Sequence, residues 1–368
     1  MGHRAYRGVM AEPTAIRYSA PFTVVGPRGP RFGDYVGLST TLRPPAAEGL
    51  PGRRHIEDFL RHKRWMYTFA ATEDLLVTAA IVDAGPTGTT FLTVADRRTG
   101  TLLADISRPG GTKPMVSVND HPGEGHRSRY RMPGSDVTMQ TSDGVLRVRA
   151  KIGSPVGLPA ITKPSVELAL AFDITASPAL TVISDLDTDP PLVSTTGKNA
   201  ALPVSGRVVV RQGGILHDFD VTDGLGGFDF TSGNLPRHTQ WRWAYLVGRL
   251  ANGATLGLNL SADFSGLVGR ARENSVWYDG QLLAIDPDAT IDVDLEEPGK
   301  PWHVRTSDGK VDLVFDPIGV HRESLDLRLV RSKFLQPVGE FSGTIKLGRR
   351  TLDVDRLPGV VENQDVLW

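Results

Sequence analysis

The sequence has no cysteine. That excludes disulfides, thiolate metal sites and a thiol nucleophile, and it fits a reducing compartment. It has no excess of either charge: 41 Lys and Arg oppose 42 Asp and Glu, a formal net charge of -1. Such a balance gives no basic footprint for nucleic acid, and Arg53-Arg54 and Arg349-Arg350 read as isolated loop charges. Long apolar runs are missing as well. Leu75 to Val82 is among the longest, far too short for a membrane span. The N-terminal Met1-Gly2-His3-Arg4 carries charge with no apolar core behind it, so no signal peptide is expected and a cytoplasmic location is. Helical periodicity is scarce. Only His55 to His62 reads as helix, barely two turns.

Alternation of period two dominates instead. Val145 to Ile152 alternates after an Asp143-Gly144 turn, and Lys310 to Phe315 follows a second Asp-Gly turn at Asp308-Gly309. Thr290 to Leu295, Leu325 to Val330 and Thr344 to Leu347 repeat the pattern. The 40 Gly and 26 Pro punctuate the chain into many short strands. The chain also repeats itself. Arg64-Trp65-Met66-Tyr67 precedes the apolar Ala79 to Asp83, as Arg242-Trp243-Ala244-Tyr245 precedes Leu256 to Leu260. Phe91 to Val94 and Ser275 to Tyr278 extend the match at an offset near 178 residues. A constant offset over successive elements predicts two copies of one β-rich unit. Length supports two domains. The Asp-, Thr- and Pro-rich stretch 185–203 sets the expected boundary, giving an N-terminal unit 1–195 and a C-terminal unit 196–368.

Several blocks in order carry a family resemblance: His62 to Tyr67, Thr196-Gly197-Lys198, Asp229 to Trp243, Gly257 to Leu260, Glu273-Asn274, Asp312 to Pro317 and Gly359 to Glu362. Together they resemble the bacterial family known as domain of unknown function 2804. The resemblance runs from about residue 30 to Trp368, and the block Asp229 to Trp243 is its most specific part. It implies an all-β fold of two tandem lipocalin-like antiparallel β-barrel or sandwich domains with little helix. It also implies distant kinship with carotenoid 1,2-hydratases and with pericyclase-like enzymes, which bind long apolar substrates without metal or nucleotide.

Within the most specific block, alternation puts Trp241, Trp243 and Tyr245 on one strand face. They either line an apolar pocket or fill a core. The loop before them holds Asp229, Arg237 and His238. Asp229, flanked by Phe228 and Phe230, is either a desolvated general acid or a turn residue paired with Arg237. Glu273 is a further candidate catalytic group. Asn259 faces a pocket or solvent. Lys198 contacts an anionic ligand group or lies solvated in the inter-domain segment. Tyr130 is placed near the domain seam, and Glu362 reads as a structural hydrogen-bond acceptor.

Asp120-His121-Pro122-Gly123-Glu124-Gly125-His126 has residue types that suit zinc or iron, but its spacing matches no metal signature, so no metal is expected. Gly224-Leu225-Gly226-Gly227 lacks the strand-then-helix context of a dinucleotide site. The reading that results is a cofactor-free enzyme acting on a hydrophobic small molecule. Its reaction is expected to be hydration, dehydration, isomerisation or cyclisation of a terpenoid- or polyketide-like substrate by general acid chemistry. The alternatives are a non-catalytic carrier or sensor of lipid-like ligands, and a glycan-binding or glycan-hydrolysing protein. A catalyst requires an ionisable group of altered pKa in the pocket; a carrier requires a wholly apolar cavity.

Overall fold

The structure is a computed structural model, and it describes residues 15–16, 18–45, 59–153, 163–188, 192–264, 273–326 and 331–368. It is almost entirely β, as expected. Of the expected short helix, residues 55–58 lie outside the described residues; one helical turn covers 59–61, and His62 already begins a strand.

Two large antiparallel sheets carry the fold. In the first, the meander His62–Ala71, Leu75–Asp83, Gly88–Asp96, Thr101–Pro109 forms one side. His62–Ala71 then pairs with Ile215–Asn234, the last strand of the unit, which pairs with Val193–Gln212. The second sheet repeats this winding. His238–Arg249 leads through Thr255–Ala262, Ser275–Tyr278 and Gln281–Ala284, and pairs on its other side with the closing strand Arg350–Leu367, next to Arg331–Leu347 and Val311–Asp326. Trp65 and Trp243 therefore occupy the same topological place: the first strand of the meander, hydrogen-bonded to the closing strand.

The change of sheet falls between Asn234 and His238, not at residue 195. Val193–Gln212 runs continuously through that position. It is 20 residues long, buried without a break from Thr195 to Leu202, and long enough to pair with Ser165–Asp173 at one end and Leu180–Asp185 at the other. Residues 189–191 of the expected linker lie outside the described residues.

Each sheet curls until its ends meet. Val116–Val118 packs over Leu75–Asp83, and Ala289–Asp292 over Thr255–Ala262, where Arg242 Nη1 donates to the Ile291 carbonyl at 3.0 Å. Each half-barrel encloses its own apolar core, one built around Phe172, Phe230 and Met139, the other around Trp302, Phe315 and Phe341. A third apolar cluster, with Tyr67, Phe69, Trp243, Tyr245 and Trp277, lies between the two sheets. At about 25 cal/mol per Å² of apolar surface, such a buried seam makes the two sheets one cooperative body.

Room at this seam is set by glycine. A Cβ on Gly227 would stand 1.9 Å from Tyr245 Oη and 2.1 Å from the Asn199 carbonyl oxygen. Those two groups are themselves hydrogen-bonded at 2.9 Å. The Gly-rich run that mimics a dinucleotide loop is thus a strand interior kept bare so that the second sheet can approach.

Candidate active site

Facing strands of the two sheets stack aromatic rings across the seam. Trp65 stacks on Trp241 with centroids 5.9 Å apart and planes at 13°, Tyr67 meets Trp243 edge-on at 5.4 Å, and Phe69 meets Tyr245 at 5.6 Å. Beyond the last tight contact the sheets part and leave a cavity of about 470 Å³. That is ample for a small organic molecule. Its walls are mainly apolar, with Trp65, Tyr67, Val82, Phe91, Trp243 and Phe334 among them.

Charged groups open into this apolar space at three places, one of them at Arg322 and Glu323. The first is a buried triad of charges. Lys198 Nζ lies 2.8 Å from Asp229 Oδ1 and 3.0 Å from Glu273 Oε2. Asp229 also accepts from Trp65 Nε1 at 3.0 Å and from the Thr196 hydroxyl at 3.1 Å. Lys198 Nζ sits 5.1 Å from the Trp243 ring centroid, an added cation–π contact. Burial alone would push the Lys198 ammonium toward neutrality; Asp229 and Glu273 outweigh it, and its pKa is raised.

The second is Glu362 on the closing strand of the second sheet, directly opposite Trp243 in register. Trp241 Nε1 donates to its Oε1 at 2.6 Å and Gln336 Nε2 to its Oε2 at 2.7 Å. Both donors are neutral. Burial raises the Glu362 pKa, the two hydrogen bonds lower it, nearby Asp229 raises it again, and the outcome is about 7. A carboxyl in that state exchanges its proton near neutrality.

One strand pair further along, directly opposite Gln336, stands His321. It is buried, stacked on Phe91 at 4.8 Å, and bonded through Nδ1 to Asp105. The Ser107 hydroxyl donates to Glu323, whose Oε1 lies 3.6 Å from His321 Nε2. Desolvation lowers the His321 pKa, but the two carboxylates prevail and lift it to about 9. Asp105 and Ser107 belong to the first sheet and His321 and Glu323 to the second, so this cluster pins the seam shut beside the cavity.

The sequence-derived candidates divide. Asp229, Glu273, Lys198, Trp241 and Trp243 all line the cavity. Tyr245 and Asn259 stand behind it: the Tyr245 hydroxyl bonds Asn199, while Asn259 accepts from Trp243 Nε1 at 2.7 Å and donates to the Glu273 carbonyl. Both are thus supports for the wall. Arg237 and His238 lie at the exposed start of their strand, His238 on Asp365 at 2.8 Å and Arg237 on the Trp368 carbonyl at 3.0 Å. They do not line the cavity; both side chains are exposed, while Leu235 of the same loop packs inward beside Trp65 and Trp368. Tyr130 is buried in the first sheet's own core.

The environment of Asp229 also differs from the expected one. Phe228 and Phe230 point to the opposite sheet face, into the core. What surrounds the carboxylate is Lys198, Trp65 and Thr196, and no contact joins it to Arg237. Lys198 is not an inter-domain loop residue but a buried strand residue. In the His121 to His126 segment three of the four ring nitrogens bond protein groups: His121 Nδ1 the Thr40 carbonyl, and His126 the His121 carbonyl and the Ser128 hydroxyl. Among the described residues no group of three or more potential metal ligands occurs.

His321 and Glu323 escaped the sequence reading, and Glu362 was read only as a structural acceptor. For Glu362 a signal existed: it breaks the apolar run Gly359-Val360-Val361 on a closing strand that should be core. His321 and Asp105 are 216 residues apart in sequence, and nothing local links them.

Residues 50–368 match the family model described as Domain of unknown function (DUF2804). The chain belongs to this family. No match is found among curated proteins. Among solved structures, DUF2804 chain residues align over 91% of their length with CghA bound to Sch210972, covering 98% of that chain, with a TM-score of 0.49 and 10% identity. Kievitone hydratase from Nectria haematococca aligns over 97% of both chains, with a TM-score of 0.46 and 10% identity. Within this DUF2804 chain no described helix is long and apolar enough to cross a membrane.

Proposed function

We propose that this protein is an acid–base enzyme acting on a largely apolar small molecule held in the seam cavity, with Glu362 as the group that moves the proton. The observation that carries the reading is a buried carboxyl, opening on an apolar cavity, bonded only to neutral donors. A carrier of lipid-like ligands has no use for such a group, since burying it costs stability and adds nothing to apolar affinity.

The chemistry follows from the surroundings. In its neutral form Glu362 gives its proton to a carbon–carbon double bond or a carbonyl of the bound molecule. The positive charge that develops faces the stacked Trp65 and Trp241 rings, whose π-faces stabilise a cation. The resulting Glu362 carboxylate keeps its two hydrogen bonds from Trp241 and Gln336, which favour the charged form. Hydration, isomerisation and cyclisation differ in what captures the cation: water, which passes a proton to the Glu362 carboxylate as it adds; direct loss of a neighbouring proton to Glu362; or an internal bond, followed by loss of a proton to Glu362. Asp229 is not the proton donor in this scheme. Three donors occupy it, and with Lys198 and Glu273 it fixes the local field and orients polar groups of the substrate. Arg237 and His238 have no part. The steps use side-chain protons alone.

The test is a panel of terpenoid and polyketide-like alkenes and enones incubated with the wild type and with Glu362→Gln, read by mass and chiral chromatography. Turnover by the wild type should fall about 10²–10⁴-fold in the variant, the usual worth of a positioned acid or base. Binding of the same compounds should change little. Full turnover by Glu362→Gln would refute the role given to Glu362. Tight binding without turnover of any compound would favour the carrier.

A further inference from the structure

The overall charge balance hides a one-sided distribution. On the outer face of the first sheet, cations lie on every second strand. Arg127–Met132 presents Arg127, Arg129 and Arg131; Val145–Ile152 presents Arg147, Arg149 and Lys151; Val193–Gln212 presents Arg207 and Arg211. All are exposed, because their neighbours in sequence alternate into the core. The register aligns Arg129, Thr138, Arg149, Ala169 and Arg207 in a single row across five strands. At about 4.8 Å per strand this row is roughly 20 Å wide. Five carboxylates share the face. Asp136 pairs with Arg131 and Asp218 with Arg207, while Glu167, Asp173 and Asp220 add three more. Arg127, Arg129, Arg149 and Lys151 form no ion pair among the described residues. The second sheet has no such excess: there Arg305 is paired with Asp312, and Asp353 and Asp355 are exposed alongside.

One rim of this face is apolar. The Gly213-Gly214 hairpin turn projects Ile215 and Leu216, 62% and 55% exposed, directly opposite Gln212 and Arg211. At the other corner Met115 is 42% exposed, and its carbonyl accepts from the Arg131 amide at 2.8 Å. This corner adjoins the cavity. Pro109 and Gly110 line the cavity wall, and the next residue, Gly111, lies against Met115 and Met132.

The geometry points to this face and rim as a docking surface for an anionic lipid membrane. Rows of unpaired cations attract acidic headgroups at about 1 kcal/mol each, and apolar tips beside them enter the headgroup boundary. A nucleic acid would match the charge. It would have no use for the apolar rim, and the face offers no exposed aromatic for bases to stack on. Docked this way, the protein would place its cavity edge near the membrane, where apolar molecules reside.

The experiment is co-sedimentation of the full chain with phosphatidylcholine vesicles, with and without phosphatidylserine, at low and high salt. Binding should require phosphatidylserine and weaken with salt. Replacing Arg127, Arg129 and Arg149 together by Gln should weaken it about 100-fold, roughly fivefold for each cation removed. Leu216→Ser should weaken it about tenfold with the salt dependence retained. Unchanged melting temperatures would show that both variants fold. Equal binding to neutral vesicles, no binding to either kind, or variants that bind like the wild type would overturn the proposal. So would tight binding to duplex DNA that the triple variant abolishes while vesicles go unbound.

Discussion

The two sheets carry the same ladder at the seam and load it differently. In the first sheet, the rung beside Trp65 holds Thr231 and Thr196, and the rung beside Tyr67 holds Asp229 and Lys198. In the second, the rung beside Trp243 holds Glu362, bonded to Gln336, and the rung beside Tyr245 holds Val360 and Val338. Each copy thus keeps one buried carboxyl, on a different rung and with a different partner. A cation neutralises the first. The second has only an amide and an indole, so burial decides its state. Adjacent rungs of one scaffold with two kinds of neighbour yield a fixed ion pair in one copy and a titrating acid in the other, the division of labour expected where two carboxyls share a site.

The comparison is broken most severely by removing the cation. Lys198→Met should leave Asp229 and Glu273 as unpaired buried carboxylates, at a cost of about 3–5 kcal/mol. For a body of this size that lowers the melting temperature by roughly 10 °C. It should also raise the Glu362 pKa further, since Lys198 is one of the groups holding it down. A variant that melts like the wild type would mean that the triad does not persist in solution.

Neutralising the acid should act in the opposite sense. The folded Glu362 retains its proton up to about 7, above its ordinary value of 4.5. Between those values the folded state binds more protons than the unfolded one, so stability declines as pH rises and the full penalty is present above about 7. Glu362→Gln removes that penalty. It should gain up to about 3 kcal/mol over the wild type at mildly alkaline pH and nothing at about pH 4, as read by melting temperature across pH. A constant difference at all pH values would show that Glu362 titrates like an ordinary carboxyl.

His321 provides the contrast of sign. Its pKa is lifted from 6.5 to about 9, so its link to Asp105 and Glu323 stabilises the fold fully below 6.5 and is lost as pH rises through 9. His321→Gln should cost about 2–3 kcal/mol at about pH 6 and close to nothing at about pH 10. Because the link joins the two sheets, its loss should also speed hydrogen exchange in Thr101–Pro109. Unaltered exchange there would separate the histidine from the seam.

Much of the fold was legible because a strand writes its burial pattern locally. The alternation in Val145 to Ile152 and the repeated Arg-Trp-x-Tyr motif needed no partner to be read. The same rule placed Trp241 and Trp243 on a shared wall. It was misapplied to Asp229, whose phenylalanine neighbours face the other way. Pairing was less accessible. The Lys198–Asp229 contact depends on a hairpin turning at Gly213-Gly214, and His321 meets Asp105 only when two distant sheets close. The boundary at residue 195 failed because Pro and Asp signal a loop but not which sheet the next strand joins. Charge was hidden by averaging: alternation sends every Arg of Arg127–Met132 to one face, while a sum over the chain shows -1.

The finest test separates the shape of Trp241 from its hydrogen bond. Trp241→Phe keeps an aromatic ring for stacking on Trp65 and Phe264, whose centroids lie 5.9 and 6.0 Å away. It removes the Nε1 donor that reaches Glu362 Oε1 at 2.6 Å. That bond favours the carboxylate, so without it the Glu362 pKa should rise by about one unit, equivalent to about 1.4 kcal/mol. The expected signature is an upward displacement of the pH at which the Glu362 side-chain carbon signal titrates by NMR, with a melting-temperature change of only a few degrees. In the first sheet Trp65→Phe removes the matching donor from Asp229, which still keeps Lys198 and Thr196. That change should leave the Glu362 titration close to its wild-type position. Equal displacements of the Glu362 signal in the two variants would mean that the Trp241 bond has no particular hold on Glu362, and the contrast between the sheets would fail.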